Sequence, residues 1–90
     1  MAVAIVLINV VAQETNRVAE ELSSIAGVSE VYSVAGTYDL VAIVRVKSND
    51  LLAGLITDQM RRVSGITRTE TLIAFRTISQ HDLNSFFDID

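Results

Sequence analysis

The 90-residue sequence contains no cysteine, no proline and no tryptophan, and it has a single histidine. Without cysteine, disulfides, thiolate catalysis and zinc sites of the cysteine type are excluded. One histidine cannot build a multi-histidine metal cage, and the acidic residues lack metal-ligand spacing. We therefore expect no metal and no cofactor. The lack of cysteine is also compatible with a reducing cytoplasm, where we expect the protein to be located.

Positive charge is scarce as well. Seven Lys and Arg residues stand against eleven Asp and Glu, so the net charge is −4 and the isoelectric point about 4.7. This is the wrong sign for binding to a phosphate backbone. The apolar stretch 2–12 is interrupted by Asn9 and is far shorter than the roughly 20 residues that cross a bilayer as a helix. We expect no direct nucleic-acid binding and no membrane association.

Features of catalytic or nucleotide-binding sites are missing from the sequence. The four glycines are scattered and form no phosphate-binding loop. His81 precedes Asp82 and invites interpretation as a general base, but no Ser or Cys nucleophile accompanies it, so we interpret it as a solvated tail residue. Arg61, Arg62 and Arg68 could meet near the end of the second predicted helix, but we interpret them as cations placed favourably at a helix C-terminus on a solvated face. We expect the protein not to be an enzyme.

Four stretches have the composition of β-strands, and two have helical periodicity. The first and third strands are apolar on both faces, which is typical of central strands, whereas the second and fourth alternate, which is typical of edges. The predicted strands are 3–8, 28–35, 40–46 and 67–77. The first predicted helix is 14–26, and Gly27 provides its C-terminal cap. The second predicted helix is 52–63. It ends before Gly65, and residues 48–50 offer candidates for its N-cap.

These elements follow one another as β-α-β-β-α-β. The order predicts an α+β, ferredoxin-like fold, with a four-stranded antiparallel sheet and two helices on one face. The second face of such a sheet would be apolar and open, and larger than monomers usually expose. The mean hydropathy of +0.41 agrees with an apolar excess. We therefore expect a homodimer in which two sheets pack face to face.

Two groups of residues remain as candidates for a ligand site. The turn 36–39 brings an aromatic ring and a carboxylate to a connection that does not need them for turning. We expect Asp39 either to bond the turn's own amides or to receive an ammonium group. Thr67, Thr69 and Thr71 lie on one side of the last strand and form a row of hydroxyls. These hydroxyls either bind a small polar ligand or only form the polar rim of the sheet.

The combined pattern resembles the ligand-binding (RAM) domain of the Lrp/AsnC transcription regulators. The resemblance covers about residues 2–77 and rests on three motifs. They are Gly27-Val28-x-x-Val31, Gly36-Thr37-Tyr38-Asp39-Leu40 and Gly65-Ile66-Thr67-Arg68-Thr69-x-Thr71.

The resemblance implies paired sheets, rings of eight or ten chains, and amino-acid effectors bound between neighbouring dimers. It also implies that the residues of the effector cleft are Gly36, Thr37, Tyr38, Asp39, Thr69 and Thr71. Residues 1–78 would form this domain, and residues 79–90 a tail in which Leu83, Phe86 and Phe87 form one side of a short docking helix. Because the sequence starts directly on the first strand, we expect a stand-alone form without the helix-turn-helix domain.

Two other interpretations stay open at this point. A dimeric α+β barrel enzyme shares the same unit, and Asn9 and Arg45 are the polar residues on the predicted strands that could serve its pocket. Alternatively, the chain is an assembly partner that modulates full-length Lrp/AsnC regulators. The sequence does not separate a ligand-binding module from an assembly partner, because both need the same interfaces.

Overall fold

The computed structural model describes residues 1–78, and the predictions for His81 and for the tail 79–90 lie outside them. The elements follow the predicted order. They are β1 (Ala2–Val10), α1 (Thr15–Ser23), β2 (Val28–Ser33), β3 (Leu40–Val46), α2 (Asn49–Gly54) and β4 (Ile66–Ile73), with a 3-10 turn at Ala12–Glu14 before α1. A π-helix (Leu55–Gln59) and a 3-10 turn (Met60–Arg62) continue α2.

The four strands form one antiparallel sheet in the order β2-β3-β1-β4. The predicted ferredoxin-like fold is therefore confirmed, with the doubly apolar strands at the centre and the alternating strands at the edges. In β1, Ile5 pairs with Ile43 of β3 on one side and with Leu72 of β4 on the other. Side chains opposite one another in such pairs share a face of the sheet.

One face of the sheet is covered by the helices. Alternate residues of β1, among them Val6 and Ile8, are almost wholly buried against this layer. Val18 and Leu22 of α1 pack against these residues. Leu52 and further residues of the second helical segment cover the same face beside α1. The core thus lies between the helices and one face of the sheet, as the apolar spacing predicts.

The second helical segment departs from the regular helix that its apolar stripe predicts. It begins as expected, because the Ser48 hydroxyl accepts a hydrogen bond from the Leu51 amide at 3.2 Å and caps α2. After Gly54 the chain widens into the π-helix and then tightens into the 3-10 turn. Leu55 and Met60 are nevertheless buried in the core. The apolar side chains of this segment therefore stay buried although the backbone periodicity changes.

Apart from the second helical segment, three elements end before their predicted last residue, whereas β1 continues to Val10, two residues beyond its predicted end. Helix α1 ends at Ser23, and the hydroxyls of Ser23 and Ser24 bond to the carbonyls of its last turn. Strand β2 ends at Ser33 because its partner β3 starts opposite, at Leu40. Strand β4 ends at Ile73, where its partner β1 is close to its own first residue.

The other face of the sheet carries apolar side chains that no second layer covers within residues 1–78. We call it the open face. Its apolar residues are Val3, Ile5, Leu7, Tyr32, Val41, Ile43 and Leu72. Tyr32 and Leu72 are 49% and 44% exposed, which is high for large apolar groups on a sheet.

Candidate functional site

The turn between β2 and β3 depends on a glycine. Gly36 has a φ of +138°, a region that residues with a side chain rarely adopt. The Val34 amide donates to the Asp39 carbonyl at 3.0 Å and closes the base of the turn. A glycine is required here for the backbone conformation, as the sequence predicts.

Asp39 fastens this turn to the neighbouring strand β1. Its amide donates to the Ile8 carbonyl at 2.9 Å, and its Oδ2 accepts from the Val10 amide at 2.9 Å. Pairing between β1 and β3 ends at Ile8 and Leu40, so the Val10 amide lies beyond the ladder and needs another acceptor on that side. Of the two roles expected for Asp39, the bond to the turn's own amides is not formed, because its carboxylate accepts from the Val10 amide, 29 residues away, and the role toward a ligand stays a prediction.

Asn9 adds a second connection between the same turn and β1. Its Nδ2 donates to the Thr37 carbonyl at 2.9 Å and approaches Asp39 Oδ2 at 3.4 Å. The side-chain amide therefore holds the turn in place. Asn9 was one of the two polar strand residues that an enzyme pocket could use, and its donor is engaged in this structural role.

Arg45, the other such residue, is engaged as well. Its guanidinium forms an ion pair with Glu30 at 2.9 Å, and the Tyr32 hydroxyl donates to the same carboxylate at 2.6 Å. The Tyr32 hydroxyl and then the Arg45 guanidinium hold the pKa of Glu30 below its ordinary value. All three side chains are exposed at one edge of the open face, so the group gives this edge a charged rim.

Tyr38 crosses β1 and reaches β4 on the open face. Its hydroxyl donates to a carboxylate oxygen of Glu70, and the Arg68 guanidinium lies 5.8 Å from the centre of its ring. The hydrogen bond to Glu70 raises the pKa of the Tyr38 hydroxyl above its ordinary value. Tyr38 thus connects the turn directly with the last strand, a contact that turn chemistry does not predict.

The threonines of β4 project from the opposite face. Thr69 pairs with Ile8 and Thr71 with Val6, and both partners point into the core, so the threonine side chains lie on the helix side. Their predicted alignment on one side of the strand is confirmed. Within a single chain, however, Tyr38 and the threonines approach β4 from opposite faces, so the residues of the predicted cleft do not meet in one pocket.

Two cavities border the helix side of β4. The first, of about 240 Å³, is lined by Asn49, Leu52, Ala53, Ile56, Thr57, Thr71 and Ile73. The second, of about 290 Å³, is lined by Arg61, Ile66, Thr67, Arg68 and Thr69. The threonine row therefore borders both cavities.

The second cavity brings together Arg61 and Arg68 but not Arg62, which is exposed and lines neither cavity. All three arginines are exposed, which agrees with their interpretation as cations on a solvated face. Sequence reasoning missed the first cavity, because its apolar residues belong to the stripe that predicts the helix core. The pattern carries no signal that separates a residue in the core from one at the edge of a groove.

Within residues 1–78, no three His, Cys, Asp or Glu side chains are grouped so that they could hold a metal ion. In the same part of the chain, no helix combines the length and the hydropathy needed to cross a membrane.

Comparison with known proteins agrees with the fold and with the sequence motifs. A family model described as the Lrp/AsnC ligand binding domain matches residues 3–83. An uncharacterised HTH-type transcriptional regulator of Pyrococcus horikoshii is 35% identical over 63 residues, which are 70% of this chain and 42% of that protein.

Solved structures give the same assignment. A protein of Thermus thermophilus superposes with a TM-score of 0.83 at 40% identity, over 89% of this chain and 100% of that one. A feast or famine regulatory protein from M. tuberculosis, complexed with L-methionine, superposes with a TM-score of 0.73 at 28% identity, over 89% of this chain and 54% of that one.

The fold and these matches define the class of the protein as an effector-type domain of transcription regulators. The chain belongs to the Lrp/AsnC ligand-binding domain family. The match spans less than half the length of the curated relatives, whose names describe them as HTH-type transcriptional regulators.

Proposed function

We propose that this chain is an oligomeric module that binds a small molecule, an amino acid, between its subunits. Residues 1–78 form the binding and oligomerisation domain, and residues 79–90 form a tail appended to it. The observation that carries the proposal is the open face of the sheet, taken together with the family to which the chain belongs.

The open face supports the oligomer. Its centre is apolar, with Ile5 and Ile43 directly paired, and the Glu30–Arg45 ion pair lies at its rim. An apolar centre with charges at the edge is typical of surfaces that bind another protein. A second copy packed face to face would cover this surface with two-fold symmetry. Such dimers would in turn form rings of eight or ten chains, as the family resemblance implies.

The distribution of the candidate residues supports a site between dimers. Gly36, Thr37 and Asp39 form a turn that is fixed to one end of β1, whereas Thr69 and Thr71 face the helix side of β4. Since these groups do not meet within one chain, a single ligand would contact both only if the turn came from one subunit and β4 from another. Tyr38, which reaches Glu70, would couple the turn to the sheet of its own subunit.

The ligand class is supported by one of the structural neighbours. The M. tuberculosis relative, at 28% identity, is described as complexed with L-methionine. An amino acid carries an ammonium group and a carboxylate, and both need partners shielded from water to contribute strongly. Threonine hydroxyls can donate or accept, and the backbone amides of an open turn can donate, so this chain offers both kinds of group.

A second candidate function is co-assembly with full-length regulators. The curated relatives are named as HTH-type transcriptional regulators, and this chain matches less than half of their length. The same open face could therefore pair with the equivalent face of a longer relative. Mixing the two purified proteins and measuring the mass of the product separates this function from self-association alone.

The proposed function is tested by a thermal-shift screen of the twenty amino acids. A ligand at 100 times its dissociation constant should stabilise the protein by about 2.7 kcal/mol. We expect one class of amino acids to raise the melting temperature, and the double substitution Thr69→Val/Thr71→Val to remove this response. If no amino acid shifts the melting temperature, the proposed function is wrong.

Asp39→Asn provides a control on the turn. The amide oxygen of Asn can still accept from the Val10 amide, so the turn keeps its acceptor while the charge is lost. We expect the variant to remain oligomeric and to bind the ligand more weakly if the carboxylate charge contributes to the site. Dissociation into monomers would instead show that Asp39 has only a structural role.

A further inference from the structure

The helical layer covers the sheet unevenly. Helix α1 packs on β2 and β3, and α2 packs on β3 and β1. At one edge of the sheet, Val28 of β2 is buried in the core beneath this layer. At the other edge, Thr69 and Ile73 of β4 face the same side but are exposed. Within residues 1–78, the helices therefore leave much of this side of β4 uncovered.

The first cavity lies on this uncovered side of β4, and we call it the β4 groove. It has a volume of about 240 Å³, and its wall includes Leu52, Ile56 and Ile73. Ile73 is 51% exposed although it borders an apolar surface. Further along the chain, Phe75 and Ile78 are almost fully exposed. Apolar side chains exposed in this way are stabilised when another apolar segment covers them.

The chain that follows β4 carries an apolar stripe that matches such a groove. Ser79 and Asp82 have the spacing of a capping box, which is typical of the start of a helix. Leu83, Phe86 and Phe87 follow at positions that share one side of a helix. A helix this short is marginal in water by itself, so it needs an apolar surface to pack on. The sequence predicts the docking helix but not the surface that receives it.

The tail is close enough to reach the β4 groove of its own chain. Ile73 lines the groove, and Leu83 follows it ten residues later. Ten extended residues span up to about 33 Å, which exceeds the length of the eight-residue strand β4. The connection therefore leaves room for the chain to reverse. A direct return over the helix side of β4 would place the tail antiparallel to the strand.

Charge favours the same placement. The tail holds three aspartates and no lysine or arginine. A helix advances about 6 Å from Phe86 to Asp90, and the strand covers about 7 Å from Thr71 to Thr69. With Phe86 in the groove beside Thr71, Asp90 would approach Thr69, which borders the second cavity together with Arg61. Among the described residues, no salt bridge engages Arg61.

From these observations we propose that the tail of each chain folds back over its own β4 and docks Phe86 and Phe87 in the β4 groove. The tail thus supplies the third element of the helical layer and covers Ile73. A second copy is not the occupant, because the open face that we propose to pair copies lies on the other side of the sheet. This inference does not require that a ligand binds, so it stands or falls separately from the proposed function.

Access to the groove can be measured with an introduced thiol, because the chain contains no cysteine. Ala53 lines the β4 groove, whereas Gln59 is exposed on the same helical segment and lines neither cavity. In the full chain, Ala53→Cys should react with a maleimide roughly tenfold or more slowly than Gln59→Cys, since a covered thiol reacts only through the fraction of molecules in which the tail has left.

Tail substitutions test whether the tail provides this cover. Phe86→Asp places a charge against the apolar groove and should accelerate the labelling of Ala53→Cys roughly tenfold or more. Ser85→Asp adds the same charge on the opposite side of the predicted helix and should leave that labelling slow. Neither substitution should alter the labelling of Gln59→Cys, and far-ultraviolet circular dichroism checks that the proteins are folded. Labelling of Ala53→Cys that is equally fast with and without Phe86→Asp would overturn the proposal.

A mixing experiment distinguishes the tail of the same chain from the tail of another copy. The double variant Ala53→Cys/Phe86→Asp is refolded from urea together with an excess of the parent protein, which has no thiol to label. If each tail covers its own groove, the intact tails of the parent chains give no protection, and labelling stays fast. Slow labelling in the mixture would show that a tail from another copy fills the groove, and docking within one chain would be wrong.

Discussion

Tyr38 shows how a single side chain links the turn to the rest of the sheet. Its ring crosses β1, its hydroxyl donates to Glu70, and Arg68 lies over its face. Each of these contacts lies on the open face, at the surface where we propose that a second copy packs. The residue predicted to contact a ligand is therefore also placed at the proposed dimer interface.

This arrangement gives a measurable titration. The chain has two tyrosines, so Tyr32→Phe leaves Tyr38 as the single phenol. The hydrogen bond to Glu70 raises the pKa of Tyr38 above its ordinary value, so the ultraviolet absorbance of its phenolate should develop at higher pH in the Tyr32→Phe protein than in free tyrosine. Glu70→Gln should lower the midpoint, because the carboxylate acceptor is lost.

The same shift has a consequence for stability. Because the folded pKa of Tyr38 lies above the unfolded value, the protonated hydroxyl contributes stability that is fully present below the unfolded pKa and is lost as the pH rises through the folded pKa. A phenolate midpoint that does not move between the Tyr32→Phe protein and its Glu70→Gln derivative would contradict the contact.

At the scale of the elements, the connection from α1 to β2 packs closely against Leu55 of the second helical segment and Val46 of β3. Gly27 has a φ of +100°, and a Cβ there would lie 2.6 Å from Leu55 Cδ1 and 2.8 Å from Val46 Cγ1. Gly36 also has a positive φ, but nothing lies within 4 Å of its Cβ position. The two glycines therefore separate the cost of backbone conformation from the cost of a steric clash.

We expect Gly36→Ala to destabilise the protein by about 1–2 kcal/mol, for its backbone conformation alone. Gly27→Ala should cost about 1–3 kcal/mol more, because Leu55 and Val46 must also move. Urea denaturation of both variants measures the difference. Equal losses of stability would show that the neighbours of Gly27 adapt freely.

The elements also show how far sequence reasoning reaches. The central strands were predictable because both of their faces are apolar, and the Ser48 cap because hydroxyls favour that position. The π-helix was not, because an apolar stripe such as that of Leu52, Leu55 and Met60 is compatible with more than one backbone periodicity.

The candidate site was predictable in its parts but not in its arrangement. The need for glycine at Gly36 and the common side of Thr69 and Thr71 follow from local rules. The bond from Asp39 to Val10 and the reach of Tyr38 to Glu70 join residues about 30 positions apart, and only the register of the sheet brings them together.

At the scale of the whole molecule, the account depends on what covers the open face. Ile43→Lys would place a charge at its centre, where burial against a partner leaves the charge unpaired, and should dissociate the oligomer. Asn16→Lys places the same charge on an exposed position of α1 and should leave the assembly intact. Far-ultraviolet circular dichroism checks that both variants remain folded.

The most direct measurement is the molar mass of the unmodified protein in solution, by light scattering coupled to size-exclusion chromatography at micromolar concentration. The chain mass is 9.8 kDa. The account predicts a species of at least twice that mass, and a mass of eight or ten chains would support the ring. A uniform species of 9.8 kDa would contradict the account, since the open face would then be stable in water without a partner.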